Sequence, residues 1–242
     1  MLAVPAGAAT VLSSNWAGYV VSPRAARRMQ SVSATWTVPS ARCTRGREAL
    51  SAVWVGLGGY RDGATALEQV GTESDCSGAG APGYSSWVEL LPAASQTLRL
   101  KVAPGDLVTG SVTVSGHDVT LRLRDETSGR RYSTTRRQAR IDVGTAEWIV
   151  EAPASCDGAG SCVTTPLADF GSVAFSNATA TAGGRTGTLA DARFEPTTLV
   201  LRQGRNGGPF ASAHGTSPVS ATPSAYEEGS FTVTYGTGAA SP

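Results

Sequence analysis

The chain has 242 residues, 40% hydrophobic and 16% charged, with a formal net charge of +1. That length supplies one large β domain or two small ones, and the near-zero charge excludes a global field that would draw nucleic acid or an anionic membrane. No run approaches the roughly 20 apolar residues of a membrane helix.

Residues 1–12 are weakly apolar and lack a basic start, so they read as a flexible segment and not as a signal peptide. A first arginine cluster, Arg24, Arg27 and Arg28, reads as a loop. Apolar and polar residues then alternate with period two, which predicts strands over 31–38, 51–57, 66–71, 84–91, 97–102, 107–114, 119–124, 131–137, 146–151, 171–180, 198–202 and 230–235. Turn residues at 102–106 (Val-Ala-Pro-Gly-Asp) and 115–118 (Ser-Gly-His-Asp) join such strands as hairpins. One short helix is expected at 166–170. A second arginine cluster, Arg130-Arg131 to Arg136-Arg137, flanks a Ser/Thr-rich strand. No stacking aromatics interleave either cluster, so nucleic acid is not an expected partner, and no membrane partner is expected either. Residues 13–235 read as a single domain without repeat or linker, and 236–242 as a loose tail. A dozen short strands in this length predict an all-β fold, an antiparallel two-sheet β-sandwich of jelly-roll type.

The four cysteines suit two disulfides in an oxidising compartment. Cys156 and Cys162 enclose Asp-Gly-Ala-Gly-Ser, a turn able to bring the sulfurs together, while Cys43 and Cys76 flank the strands at 51–57 and 66–71 and can tie their outer ends. His117 sits in a turn and His214 in a Gly/Ser-rich loop, without spaced partners, so no metal and no cofactor is expected.

Alternation also assigns faces. Glu147, Ile149 and Glu151 share one face of their strand, with Ala146, Trp148 and Val150 behind. Gln69 shares a face with Leu67, Trp54 with Gly56, and Trp87 with Glu89. A face that gathers Trp54, Gln69, Trp87, Glu89 and Glu147 is an aromatic-walled groove with carboxylates and an amide, the makeup of a polymer-binding cleft.

Ser14-Asn15-Trp16-Ala17-Gly18, Ala34-Thr35-Trp36-Thr37-Val38-Pro39, the Trp54, Gln69, Trp87 and Glu147 strands, and Cys156 to Cys162 followed by Pro166-Leu167-Ala168-Asp169-Phe170 stand in one order along the chain. In that order and spacing they resemble the glutamic peptidases, the eqolisin family, over about residues 13–180. The resemblance implies a lectin-like, concanavalin-type sandwich with the active site on its concave face. It implies a secreted, extracellular endopeptidase that works in acid on protein or peptide substrates and resists pepstatin. A monomer is expected. Carried over residue by residue, it makes Gln69 and Glu147 the catalytic pair and puts Trp16, Trp54, Trp87, Glu89 and Ile149 at the substrate. This chain departs from the better-known fungal pattern at two aspartate positions, which are Gly58 and Ser85 here, and has fewer aromatics in Trp87-Val88-Glu89-Leu90-Leu91-Pro92.

The residue types fit that chemistry. A glutamate can take a proton from water and return it to the leaving nitrogen. A glutamine offers an acceptor oxygen to the water and N–H donors to the oxyanion, without titrating. Two other readings compete. Glu89 and Glu147 could act as the carboxylate pair of a glycoside hydrolase, or the groove could bind carbohydrate. Alternatively, the chain is a noncatalytic peptide-binding module.

Overall fold

Alternating burial organises most of the chain into strands. The computed structural model describes residues 8–156, 162–203 and 219–237. The strands begin with β1 (Ala9–Ser13), β2 (Trp16–Pro23), β3 (Met29–Thr37), β4 (Ala52–Gly58), β5 (Leu67–Cys76) and β6 (Pro82–Leu90). There follow β7 (Gln96–Thr97), β8 (Leu107–Ser115), β9 (Asp118–Asp125), β10 (Arg131–Arg137), β11 (Ala146–Glu151) and β12 (Ala154–Cys156). The last are β13 (Cys162–Thr164), β14 (Ser172–Ala182), β15 (Arg185–Thr188), β16 (Phe194–Gln203), β17 (Val219–Pro223) and β18 (Phe231–Thr237). No helix occurs among the described residues.

One ladder runs β10-β9-β8-β3-β14-β18-β17-β16-β2-β11-β4-β5-β6-β7 and does not close. Its two halves fold onto each other as a β-sandwich. Trp36, Val112, Leu121 and Phe175 of one half meet Val53, Val55, Val70 and Trp148 of the other in a single core. Two indoles stitch the layers: Trp36 Nε1 donates to Thr72 Oγ1 at 3.0 Å and Trp148 Nε1 to the Ser33 carbonyl at 2.9 Å. Gly110 lets the Trp36 ring lie against its backbone, where a Cβ would stand 2.6 Å from the ring. The row from β2 through β11, β4, β5 and β6 buries both faces, so a second apolar cluster forms on the side away from the core.

Some expectations need correction. Residues 166–170 form no helix but run extended, with Leu167 bridged to Leu50 and Asp169 to Arg42. Leu167, Ala168 and Phe170 are buried there, and that packing overrides local helical preference. The strand expected over 97–102 ends at Thr97, although Leu98, Leu100 and Val102 remain buried in alternation. β1 pairs in parallel with β16, Ala9 opposite Thr197, so residues 9–12 of the segment expected to be flexible stand in a strand. β2 escaped the alternation test because Ala17 to Val21 are all buried.

Cys43 and Cys76 form a disulfide with Cα atoms 5.3 Å apart. In β12 and β13 the backbone sets Cys156 opposite Cys162; the pairing of their sulfurs lies outside the described residues. The first bridge closes a separation of 33 residues. Its removal by Cys43→Ser with Cys76→Ser is expected to cost about 3–4 kcal/mol through the unfolded state, read as a lowered denaturant midpoint at unchanged slope. An unchanged midpoint would show that the bridge carries no stability.

Candidate active site

Three cross-strand rows make up the face of β2, β11, β4, β5 and β6 that is turned from the core. The first runs Val20, Glu147, Gly56, Gln69, Glu89. The second runs Gly18, Ile149, Trp54, Gly71, Trp87, and the third Trp16, Glu151, Ala52, Glu73, Ser85. Successive rows lie about 7 Å apart along the strands and neighbours within a row about 4.8 Å. Gln69 and Glu147 are therefore two strands apart with only Gly56 between them. A Cβ at position 56 would stand 2.9 Å from the Trp54 ring and 3.3 Å from Gln69 Cβ. The Trp54 ring, Leu67 and Gln69 close over position 56, so only glycine fits between Glu147 and Gln69 in this row.

The polar groups of the first row are enclosed. Glu147 is fully buried and Gln69 is 4% exposed. Neither carboxyl oxygen of Glu147 has a hydrogen-bond partner among the described residues, nor has Gln69 Oε1. Gln69 Nε2 donates to Glu89 Oε2. An amide N–H only donates, so the bond to the Glu89 oxygen turns the NH₂ end of the amide toward Glu89 and Oε1 away from it. Burial pushes Glu147 well above the usual carboxylate range; the nearby Thr145 hydroxyl, which makes no hydrogen bond of regular geometry to it, works against that shift, and Asp142 and Glu68 add to it. Burial also raises Glu89.

Trp54 and Ile149 are fully buried and support the floor; Trp16 meets Trp54 edge-on at 5.0 Å. Trp54 Nε1 donates to Glu151 Oε2 at 2.7 Å, and Asn15 Nδ2 donates to Glu151 Oε1 at 3.3 Å. The Trp87 indole N–H is buried without a partner among the described residues.

Sequence reasoning missed a second cluster beside the first row. Asp142 Oδ2 accepts the Gly59 N–H at 3.1 Å and Oδ1 the Gly144 N–H at 2.9 Å, while its own N–H donates to Glu68 Oε1 at 3.4 Å. Asp142 thus clamps the end of β4 to the turn that leads into β11. A Cβ on Gly58 (φ +80°) would stand 2.3 Å from Asp142 Cβ. Position 58 therefore cannot hold the aspartate of the fungal pattern: Asp142 occupies the space. Glu68 points to the core face, 1% exposed, and burial raises its pKa to about 8. Tyr60, also unforeseen, packs against the aromatic cluster. No group of three or more His, Cys, Asp or Glu side chains suited to a metal occurs among the described residues.

The sequence model of the peptidase A4 family matches residues 14–222. The chain belongs to that family, the eqolisins. Aspergillopepsin-2 of Aspergillus niger is 30% identical over 213 residues, covering 74% of this chain and 68% of that protein. Among solved structures, scytalido-glutamic peptidase with a peptide-based transition-state analog superposes with a TM-score of 0.70 at 25% identity, over 92% of this chain and 98% of that one. Aspergilloglutamic peptidase from A. niger superposes at 0.60 with 27% identity, over 77% and 99%. This eqolisin is a glutamic endopeptidase on a β-sandwich.

Two measurable consequences follow from the geometry. Gly56→Ala is expected to lower kcat/KM by about a hundredfold, the scale of a 1 Å misplacement of reacting groups. The protein should stay folded by circular dichroism; wild-type kinetics in this variant would show that turnover does not depend on the missing side chain at position 56. The second concerns pH. Burial raises Glu68 to about 8, and Asp75 and Glu151 to about 7. Each keeps its proton in the folded state where the unfolded chain, with carboxyls near pKa 4, has lost it. Unfolding then releases protons, so stability falls as pH rises from about 4 to about 8. On the acid side, Arg193 holds Asp191 below its ordinary value, and that contribution is lost as pH falls through its folded pKa. The melting temperature is expected to peak near pH 4 and drop by roughly 5 °C or more by pH 8, with Glu68→Gln flattening the drop. A melting temperature that rises from pH 4 to pH 8 would contradict this.

Proposed function

We propose that this eqolisin is a secreted, acid-acting endopeptidase that cuts peptide bonds with a Glu147/Gln69 dyad. The observation that carries the reading is the first row. A buried carboxyl with two unpartnered oxygens faces a buried amide with an unpartnered oxygen across a residue that has no side chain.

Ionised Glu147 takes a proton from a water that Gln69 Oε1 also holds. The water oxygen bonds to the peptide carbonyl carbon, and the carbonyl electrons move to its oxygen. That oxyanion accepts a hydrogen bond from the Gln69 N–H not committed to Glu89. Protonated Glu147 then passes its proton to the nitrogen, the C–N bond breaks, and acid and amine products separate. The Trp87 indole N–H stands ready to donate to a substrate carbonyl, and Trp16 and Trp54 supply an apolar bed. Glu147 exposes no surface, so substrate entry requires side chains packed against this face, Tyr60 among them, to give way.

Acid action fits the electrostatics. Glu89, Glu147 and Glu151 are all held above the carboxylate range in one enclosure. In acid Glu89 and Glu151 keep their protons, so the ionisation that turnover needs at Glu147 adds its charge to an enclosure whose other carboxyls are neutral. Secretion fits the Cys43–Cys76 disulfide, which persists in oxidising compartments. The glycosidase alternative fits poorly. Glu89 and Glu147 are three strands apart, about 14 Å between Cα atoms, with Gln69 between them.

The test is digestion of denatured protein between pH 2 and 7 with pepstatin present, by wild type and by Glu147→Gln. Wild type should digest, and the variant should lose at least roughly a hundredfold while its thermal unfolding stays cooperative. Near-normal turnover in folded Glu147→Gln removes Glu147 from the mechanism. No turnover in wild type leaves a peptide-binding module.

A further inference from the structure

The arginines at 24, 27 and 28 found no role in the sequence, and the fold gathers more around them. A cavity of about 310 Å³ opens at the end of the sandwich, lined by Arg24, Arg27, Arg185 and Arg193 over a floor of Pro23, Ala182 and Phe194. A second hollow of about 380 Å³ shares Pro23 and Arg27 with the first and adds Arg28 and Arg61. Together they form a furrow with six guanidinium groups from three separate parts of the chain.

Its positive charge is poorly neutralised. Arg193 is paired with Asp191. Arg24, Arg27, Arg28, Arg61 and Arg185 make no ion pair among the described residues. Asp142 lines the second hollow and offsets part of this charge without pairing with any of these arginines, and Asp62 and Glu195 pair with none of them either, so five guanidinium groups face one lining carboxyl besides the Arg193 partner.

The furrow adjoins the face that carries Glu147. Pro23 lies three residues beyond Val20 of the first row, and Gly144, which lines the second hollow, lies three residues before Glu147. Three extended residues span about 10 Å. Tyr60, next to Arg61, packs against the aromatic cluster of that face. In the other direction along the strands the face turns acidic, with Glu151 and Glu73 in the third row. The two ends of the face therefore differ: the Glu147–Gln69 row adjoins the basic end, and the apolar Ile149–Trp54–Trp87 row separates it from the carboxyls of the third row.

We propose that this arginine furrow is a subsite for acidic side chains of the polypeptide substrate, engaging an Asp or Glu about three to four residues from the scissile bond. The inference rests on the peptidase reading above. Guanidinium forks accept a carboxylate bidentately, and the Pro23–Ala182–Phe194 floor takes the aliphatic stem of a glutamate. Arginine does not titrate in the working range, so recognition follows the ionisation of the substrate. It operates above about pH 4 and fades below it.

The test uses fluorogenic peptides with one central sequence and Glu, Gln or Lys placed three or four residues to either side of the cleaved bond, assayed at pH 5.5. The Glu peptide is expected to show roughly tenfold higher kcat/KM than the Gln peptide on one side, a difference of about 1.4 kcal/mol. The preference should shrink at about 0.5 M salt and vanish below about pH 4. The triple variant Arg27→Gln, Arg28→Gln, Arg185→Gln should cut the Glu preference to within twofold and leave the Gln peptide's kcat/KM unchanged, which also reports an intact fold. Equal cleavage of all three peptides by wild type overturns the subsite, and so does a preference that survives the triple substitution. Should wild type cleave no peptide, the peptidase reading fails on its own. Fluorescence anisotropy of the uncut peptides then decides the furrow: about tenfold tighter binding of the Glu peptide, lost in the triple variant, supports it, and equal binding overturns it. Binding of a sulfated polysaccharide without any acidic-peptide preference overturns it as well.

Discussion

Everything the site can do depends on cross-strand register through a residue without a side chain. Glu147, Gly56 and Gln69 face one another only because β11, β4 and β5 pair in one alignment. A slip of one residue in β5 would send Gln69 into the core and bring Glu68 to the outer face. Several features forbid that slip. Val70 is fully buried in the core, and Thr72 takes the Trp36 indole bond from the opposite layer. On β2, Gly18 (φ +142°) lies so close to Trp148 that a Cβ would stand 2.1 Å from its carbonyl oxygen. On β11, Trp148 reaches across the core to the Ser33 carbonyl. The core side of each strand thereby fixes which residues appear on the other side. The same coupling lets Asp142 matter at a distance: it ties the end of β4 to the turn before β11, and so helps set where Glu147 stands relative to Gly56.

The second governing term is the cost of burying carboxyl groups. Isolated ions are expensive in a low-dielectric interior, so a buried carboxyl without a cation keeps its proton. Glu68, Asp75 and Glu151 illustrate this, with values near 7 to 8. None forms an ion pair among the described residues. Arginines gather instead at the sandwich end and along β9 and β10. The consequence is a fold best suited to a medium that keeps these groups neutral. Charge in this protein is distributed by region, and the near-zero net charge hides it.

Much of this was legible in the chain. Period-two parity placed Glu147 with Ile149 and Trp54 with Gly56, and the ladder confirms that these share a face. The ordered segments pointed to the eqolisins before any geometry was known, and the Cys43–Cys76 bridge followed from flanking positions. What stayed hidden is what only non-local contact reveals. Nothing local marks Asp142 as the partner of Gly59, since they are far apart in sequence and meet through a backbone N–H group. Glu68 alternates with Gln69 and so falls on the core side with Val70, and nothing local shows that a carboxyl is buried there. β2 was invisible to an alternation test because a strand buried on both faces has no alternation. The 166–170 run looked helical because its local pattern cannot register the bridges to Arg42 and Leu50. Trp54 and Ile149 were expected at the substrate, and both are fully buried in the floor of the candidate site, since parity gives a face but not a depth.

The enclosure also explains why an amide suits the position of Gln69. Glu89 is hydrogen-bonded to it, Glu147 faces it, and Glu68 is its chain neighbour on the reverse side. A fourth carboxyl at that point would either add like charge to an enclosure already pushed toward neutrality or carry a proton that competes with that of Glu147. It would also leave at most one O–H to share between Glu89 and an oxyanion. An amide brings two N–H donors and one acceptor that do not change with pH. One donor can be spent on Glu89 to fix the orientation, one kept for developing charge, and the oxygen left for water. In the proposed dyad, titration is then confined to Glu147, and the neighbouring carboxyls would act on it through its pKa without joining the proton transfer.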